Sequence, residues 1–160
     1  MKLIRFAAPA VALLALSAGK AAAQSATQDV TLEVQAINQI AFTGSPSLVI
    51  SAATAGGAPT SATANATYAI TTNETNRKIT AQIDTDTPAG VALSASLAAP
   101  SGGTSAGAVQ LGTTAQDVVT GIGTVNASGL NVTYTLSASA AAGVVPSTTR
   151  TVTYTIVAGA

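Results

Sequence analysis

Two stretches of this chain carry the same five-position pattern. Val132-Thr-Tyr-Thr-Leu136 returns as Val152-Thr-Tyr-Thr-Ile156, with aliphatic and aromatic residues alternating with threonine. A period of two puts the apolar set on one face of a pleated strand and the hydroxyls on the other, so both copies are predicted as half-buried β-strands. The segment between them, Ser137 to Arg150, is too long for a tight hairpin and is punctuated by Gly143 and Pro146. It either turns within one sheet or crosses between two. The closing strand, Thr151 to Val157, is expected to lock the fold or to offer its edge to a partner.

The same alternation recurs upstream. Val30, Leu32, Val34 and Ala36 lie two apart with polar residues between them, which predicts a strand with one wet face. Parity slips at Ile37, predicting a bulge or bend, and resumes at Ile40 and Phe42. A turn at Gly44-Ser-Pro46 leads to Leu48-Val49-Ile50, expected as a short buried strand, and Ser51 to Ala66 lacks periodicity and reads as a loop. Tyr68-Ala-Ile70 and the run from Arg77 to Asp84, with Ile79, Ala81 and Ile83 on one face, flank the turn-forming Asn73-Glu-Thr-Asn76. That arrangement predicts a hairpin.

Val91 to Leu97 alternates throughout, and Val109 to Leu111 is expected as a short strand. Asp117 to Val125 is weakened by Gly121 and Gly123 and reads as an edge strand or an extended connection, followed by a turn at Asn126 to Gly129. Beyond the first residues, no run of ten or more shows a helical period with caps. About seven to nine short strands separated by Gly, Pro, Asn and Ser predict an all-β protein, a two-sheet antiparallel sandwich in preference to a barrel.

The first residues change the picture of where this sandwich works. Lys2 and Arg5, the apolar run Ala7 to Ala18 and the small residues Ala21-Ala22-Ala23 have the layout of a cleavable export signal, with cleavage expected after Ala23. The domain organisation expected is therefore a signal helix over 1–23 and one β-sandwich domain over 24–160, with 24–36 as a possible donor or edge strand. No later run approaches the roughly 20 apolar residues a membrane-spanning helix needs. A secreted or cell-surface location in a bacterial envelope follows.

Loss of the signal also changes the charge. The remaining chain holds Arg77, Lys78 and Arg150 against Asp29, Glu33, Glu74, Asp84, Asp86 and Asp117, a net charge of about minus three. Cations so few and so scattered provide no footprint for nucleic acid. The exported chain has no cysteine, so its stability must come from its core, from a partner or from both. Phe42, Tyr68, Tyr134 and Tyr154 are the only aromatics after the signal, few for a surface that binds sugars or proteins through aromatic anchors.

Candidate chemistry is correspondingly sparse. Without histidine or cysteine the chain lacks the imidazole and thiolate groups on which catalytic triads, dyads and most zinc sites are built. The carboxylates are spread over turns and wet faces, whereas a glycosidase needs two of them across a cleft. No catalytic residue and no cofactor are expected. Asp84 and Asp86 are the one metal candidate, since oxygens at alternate positions can ligate calcium; the reading adopted is that they cap a turn before Thr87-Pro88. Glu74 with Arg77 and Lys78 reads as a solvated ion pair. The interaction residues expected are Val30, Leu32, Val34 and Ala36, which pair within their own domain or add to a neighbour's sheet, together with Val152, Tyr154 and Ile156 on the closing strand. Glu33, Lys78 and Arg150 are expected to guard strand edges.

In order and spacing, the opening Val30-Thr-Leu-Glu-Val34 strand with its Ile37-Asn-Gln-Ile40 ending, the central block from Thr71 to Asp84 and the closing Thr148 to Gly159 stretch resemble the cysteine-free major subunits of bacterial fimbriae, especially the alpha class assembled by a chaperone and usher. The likeness extends to related exported immunoglobulin-like surface domains. It implies an incomplete immunoglobulin-like sandwich whose missing strand is donated by the next subunit, here from Gln24 to Ala36. It also implies a periplasmic chaperone and a homo-oligomer or filament built through edge strands. The competing expectation is a self-contained β-sandwich that binds polysaccharide or calcium, which would expose Tyr68, Tyr134 and Tyr154 together.

Overall fold

The computed structural model describes residues 23–160, so the expected signal segment lies almost wholly outside the described residues. Residues 23–33 carry no regular secondary structure. Val34–Ala160 forms a compact unit of its own. Among the described residues there is no α-helix, and no helix is long and apolar enough to cross a membrane.

The strands are β1 (Asn38–Thr43), β2 (Ala62–Thr72), β3 (Arg77–Ile83), β4 (Val91–Leu97), β5 (Thr104–Ser105), β6 (Val109–Gln110), β7 (Gln116–Ile122), β8 (Val125–Ala138) and β9 (Val152–Ala158). They build two antiparallel sheets. One has the order β1-β2-β8-β4-β6 and the other β5-β7-β3-β9. The alternation read from the sequence decides which face of each strand turns inward: Tyr68 and Ile70 of β2, Leu93, Ala95 and Leu97 of β4, and Val132 and Tyr134 of β8 enter the core from the first sheet. Ile79, Ala81 and Ile83 of β3 and Val118, Val119 and Ile122 of β7 meet them from the second. Each buried Leu, Ile or Val contributes about 1.5–3 kcal/mol, and Ala66, Ala81 and Ala95 take further buried positions.

Several expectations change here. The run from Val30 to Ala36 is in no strand, and no bulge marks Ile37, because the chain enters β1 directly at Asn38. Leu48-Val49-Ile50 is not a strand either; Leu48 packs against the core from an irregular segment while Val49 is exposed. The segment read as a loop contains an isolated bridge between Ala53 and Pro59 and yields to β2 at Ala62. β2 and β3 do not form a hairpin. β2 pairs with β1 and β8, β3 pairs with β7 and β9, and Asn73 to Asn76 carries the chain from one sheet to the other.

β7 is an inner strand of its sheet, flanked by β5 and β3, in place of the edge strand or extended connection expected from its glycines. The predicted turn at Asn126 to Gly129 lies inside β8. Between Tyr68–Leu130 and Ile70–Ala127 the register shifts, one extra residue bulging from β8. Gly129 takes φ +67° there, a left-handed conformation that glycine reaches without a Cβ penalty.

Candidate functional site

The two repeated pentapeptides face each other from opposite sheets. Val132–Leu136 belongs to β8 at the centre of the first sheet and Val152–Ile156 to β9 at the edge of the second, so the Ser137–Arg150 segment is a crossover. The Tyr154 hydroxyl donates to the Tyr134 hydroxyl at 2.9 Å, joining the two sheets through the core. Phe42 of β1 stacks on Tyr154 with ring centroids 4.1 Å apart and on Tyr68 at 5.5 Å. Tyr68 in turn donates to the carbonyl of Ala98 at 2.6 Å. The four aromatics therefore make one internal cluster. Burial pushes the Tyr68 phenol up to about 12. Burial, then the bond to Tyr134, raises that of Tyr154 further, and burial raises Tyr134.

This cluster marks where the core approaches the surface. β1 is the outer strand of one sheet and β9 of the other, and the Phe42–Tyr154 stack brings them side by side. Among the described strands β9 pairs with β3 alone, from Arg77–Ala158 to Ile83–Val152. Its other edge presents a row of backbone donors and acceptors with no strand partner. Inward-facing Val152, Tyr154 and Ile156 of β9, with Ile40 and Phe42 of β1, pack on the core but remain only partly covered. The opposite margins differ. β5 and β6 are two residues each, too short to template another chain.

The second group of expected interaction residues is wholly unsheltered. Val30, Leu32 and Val34 are 71%, 87% and 82% exposed, and Ala36 is exposed as well. Alternating apolar residues in an extended segment outside any strand contrast with a soluble surface, where large apolar side chains are scattered singly. Among the described residues, the predicted apolar segment lies in no strand and the predicted apolar edge has no strand on its outer side.

The base of that segment is held. Asn73, in the crossover between β2 and β3, donates from its backbone N–H to the carbonyl of Ile37 at 3.2 Å. Its side-chain Oδ1 accepts from the Ile37 N–H at 2.7 Å, and its Nδ2 donates to the Gln35 carbonyl at 2.8 Å. Next to it, Asn38 accepts from the Thr72 hydroxyl at 2.8 Å and donates to Glu74, which also pairs with Arg77. Those bonds, from Asn38 first and then Arg77, hold the Glu74 carboxyl below its ordinary range. The same turn grips β9: Asn76 accepts from the Gly159 N–H at 2.7 Å.

The other expected residues serve the body of the fold. Asp84 accepts from the Thr151 N–H at 3.1 Å, and Asp86 accepts from the Thr113 N–H at 3.2 Å through its side chain and from Arg150 through its carbonyl. They brace three loops. Among the described residues no group of three or more acidic, histidine or cysteine side chains could hold a metal ion. Lys78 bonds Asp117 at 3.0 Å across β3 and β7, inside a sheet, so it guards no open edge, and Arg150, next to β9, donates to the carbonyls of Thr149 and Asp86. A hollow of about 370 Å³ beside Asp86 and Gly112 is lined mainly by polar residues.

Sequence reasoning found β9 and the apolar segment but missed Ile40 and Phe42 as the facing lip. It also took Asn73 for turn chemistry alone. The signal for the lip was present in the parity of Ile40 and Phe42; what it lacked was the knowledge that β1 and β9 end up adjacent. No protein-family model and no curated protein matches this chain.

Proposed function

We propose that this protein is an exported, non-enzymatic structural subunit that assembles by strand donation, the segment Val30 to Ala36 of one copy adding to the β9 edge of another. The observation that carries this reading is the pairing of two deficits in one chain. Among the described residues, an extended segment has apolar side chains at every second position and lies in no strand, and an edge strand has apolar residues at every second position and a strand on one side only. Backbone pairing along β9 would satisfy the edge, and Val30, Leu32 and Val34 would cover Val152, Ile156 and the Ile40–Phe42 lip. Each such side chain gains about 1.5–3 kcal/mol on burial, less the cost of ordering the segment.

On this reading the sandwich is of the incomplete immunoglobulin-like kind suggested by the resemblance to chaperone–usher fimbrial subunits. The assembled form is a filament at the cell surface, and a periplasmic chaperone occupies the β9 edge until the next copy arrives. The inward position of Tyr68 and Tyr134 and the half-buried, stacked position of Tyr154 speak against the competing reading, a sugar-binding platform.

Replacing Val30, Leu32 and Val34 together by serine in the full chain tests the proposal. The expected outcome is a monomer by sedimentation velocity under conditions where the parent forms higher-order species, with unchanged circular dichroism. Equal assembly by the serine variant contradicts the proposal.

A further inference from the structure

If strand donation is how this protein assembles, the same segment has a competing destination: the β9 edge of its own chain. We infer that Asn73 is the positioning residue that keeps the segment from closing on its own edge and so directs it to a second copy. The inference rests on the preceding reading and adds to it the device that chooses between the two outcomes.

The registers fix the directions. Asn38 at the start of β1 pairs with Thr72 at the end of β2, and five residues later Arg77 at the start of β3 pairs with Ala158 at the end of β9. The start of β1 and the end of β9 therefore lie at the same end of the two sheets. A segment that folded back from Asn38 along its own β9 would have to reverse direction between Gln35 and Asn38. It would also run parallel to β9, the slightly weaker pairing. A segment arriving from another copy is free to run antiparallel.

Asn73 stands at that reversal point. Its backbone N–H and its side-chain amide act on Ile37 and Gln35 as another strand's peptide groups would, donating to both carbonyls and accepting from the Ile37 N–H. These contacts extend the line of β1 backwards by three residues and hold the chain where it would otherwise turn. Reversal breaks all three. Asn38, tied to Thr72 and Glu74, fixes the other side of the same joint.

The chain has no cysteine, so nitroxide labels can be placed singly at Thr31→Cys and Thr155→Cys, both exposed positions. Two samples are compared by pulsed electron–electron resonance. One mixes full chains carrying one label each, and reads distances between copies. The other dilutes a doubly labelled full chain into an excess of unlabelled chain, and reads distances within a copy. With Asn73 intact, a short distance is expected only between copies. Asn73→Ala removes two of the three bonds and is expected to raise the within-copy to between-copy ratio about tenfold. Asn73→Ser, too short to reach Gln35 but compatible with the turn, is expected to shift the ratio in the same direction and serves if the alanine variant does not fold. An unchanged ratio in the folded variants overturns the role of Asn73 while leaving strand donation standing. A short within-copy distance already dominant in the parent overturns the inference directly. No short distance in either parent sample overturns strand donation and the inference with it.

Discussion

The Tyr154 hydroxyl lies 2.9 Å from that of Tyr134, and its ring lies 4.1 Å from Phe42, so one side chain ties β9 both to the opposite sheet and to its neighbouring edge. Tyr154→Phe removes the bond and leaves the Tyr134 hydroxyl without that partner, for an expected loss of about 1 kcal/mol in urea unfolding. The raised phenol values set an alkaline limit. A tyrosine whose folded pKa is raised contributes stability that is complete below its unfolded value, about 10, and lost as pH rises toward the folded value. With Tyr68 pushed up to about 12, tyrosinate absorbance should appear together with unfolding above about pH 10. At the acid end the sign reverses. Glu74, held low by Asn38 and Arg77, contributes stability that is present above the ordinary glutamate range and is lost as pH falls through its depressed value. Glu74→Gln should flatten the acid limb of the melting temperature profile; an unchanged limb would show that Glu74 does not contribute to it. At this scale the sequence was informative about faces. The inward residues of β1, β2, β3, β4, β8 and β9 follow its alternation, because a pleated strand leaves no other option.

Partnership between elements was much less legible. A period of two says which face is buried and says nothing about which strand lies alongside, so Asn73 to Asn76 looked like a hairpin turn although it carries the chain between sheets. In β7 the consecutive Val118 and Val119, both buried, break the alternation, and the irregular pairing with β3 absorbs the break. Gly121, one of the glycines that weakened the reading of this strand, lies within one of these irregular stretches of an inner strand. Ile122→Ala in β7 is expected to cost about 2–5 kcal/mol, as a cavity in the core does. Val49→Ala, in the segment wrongly expected as a buried strand, should change stability by less than about 0.5 kcal/mol. Equal losses at the two positions in chemical denaturation would contradict this placement of the core.

For the whole molecule the sequence predicted an all-β chain, and the structure shows two antiparallel sheets with β9 as an outer strand; export and a use for that edge belong to the proposal. What could not be read from residues alone was the absence of a strand at Val30 to Ala36. The alternation is the same whether the segment pairs in its own sheet or in another's, and the structure places it in no strand. The most direct measurement compares the chain with a form lacking Gln24 to Ala36, each melted with and without a synthetic peptide of that segment. The truncated form is expected to fold, to remain monomeric and to melt several degrees higher when the peptide is added. A truncated form that does not fold and gains nothing from the peptide would show that the segment belongs to its own domain, and strand donation would be wrong.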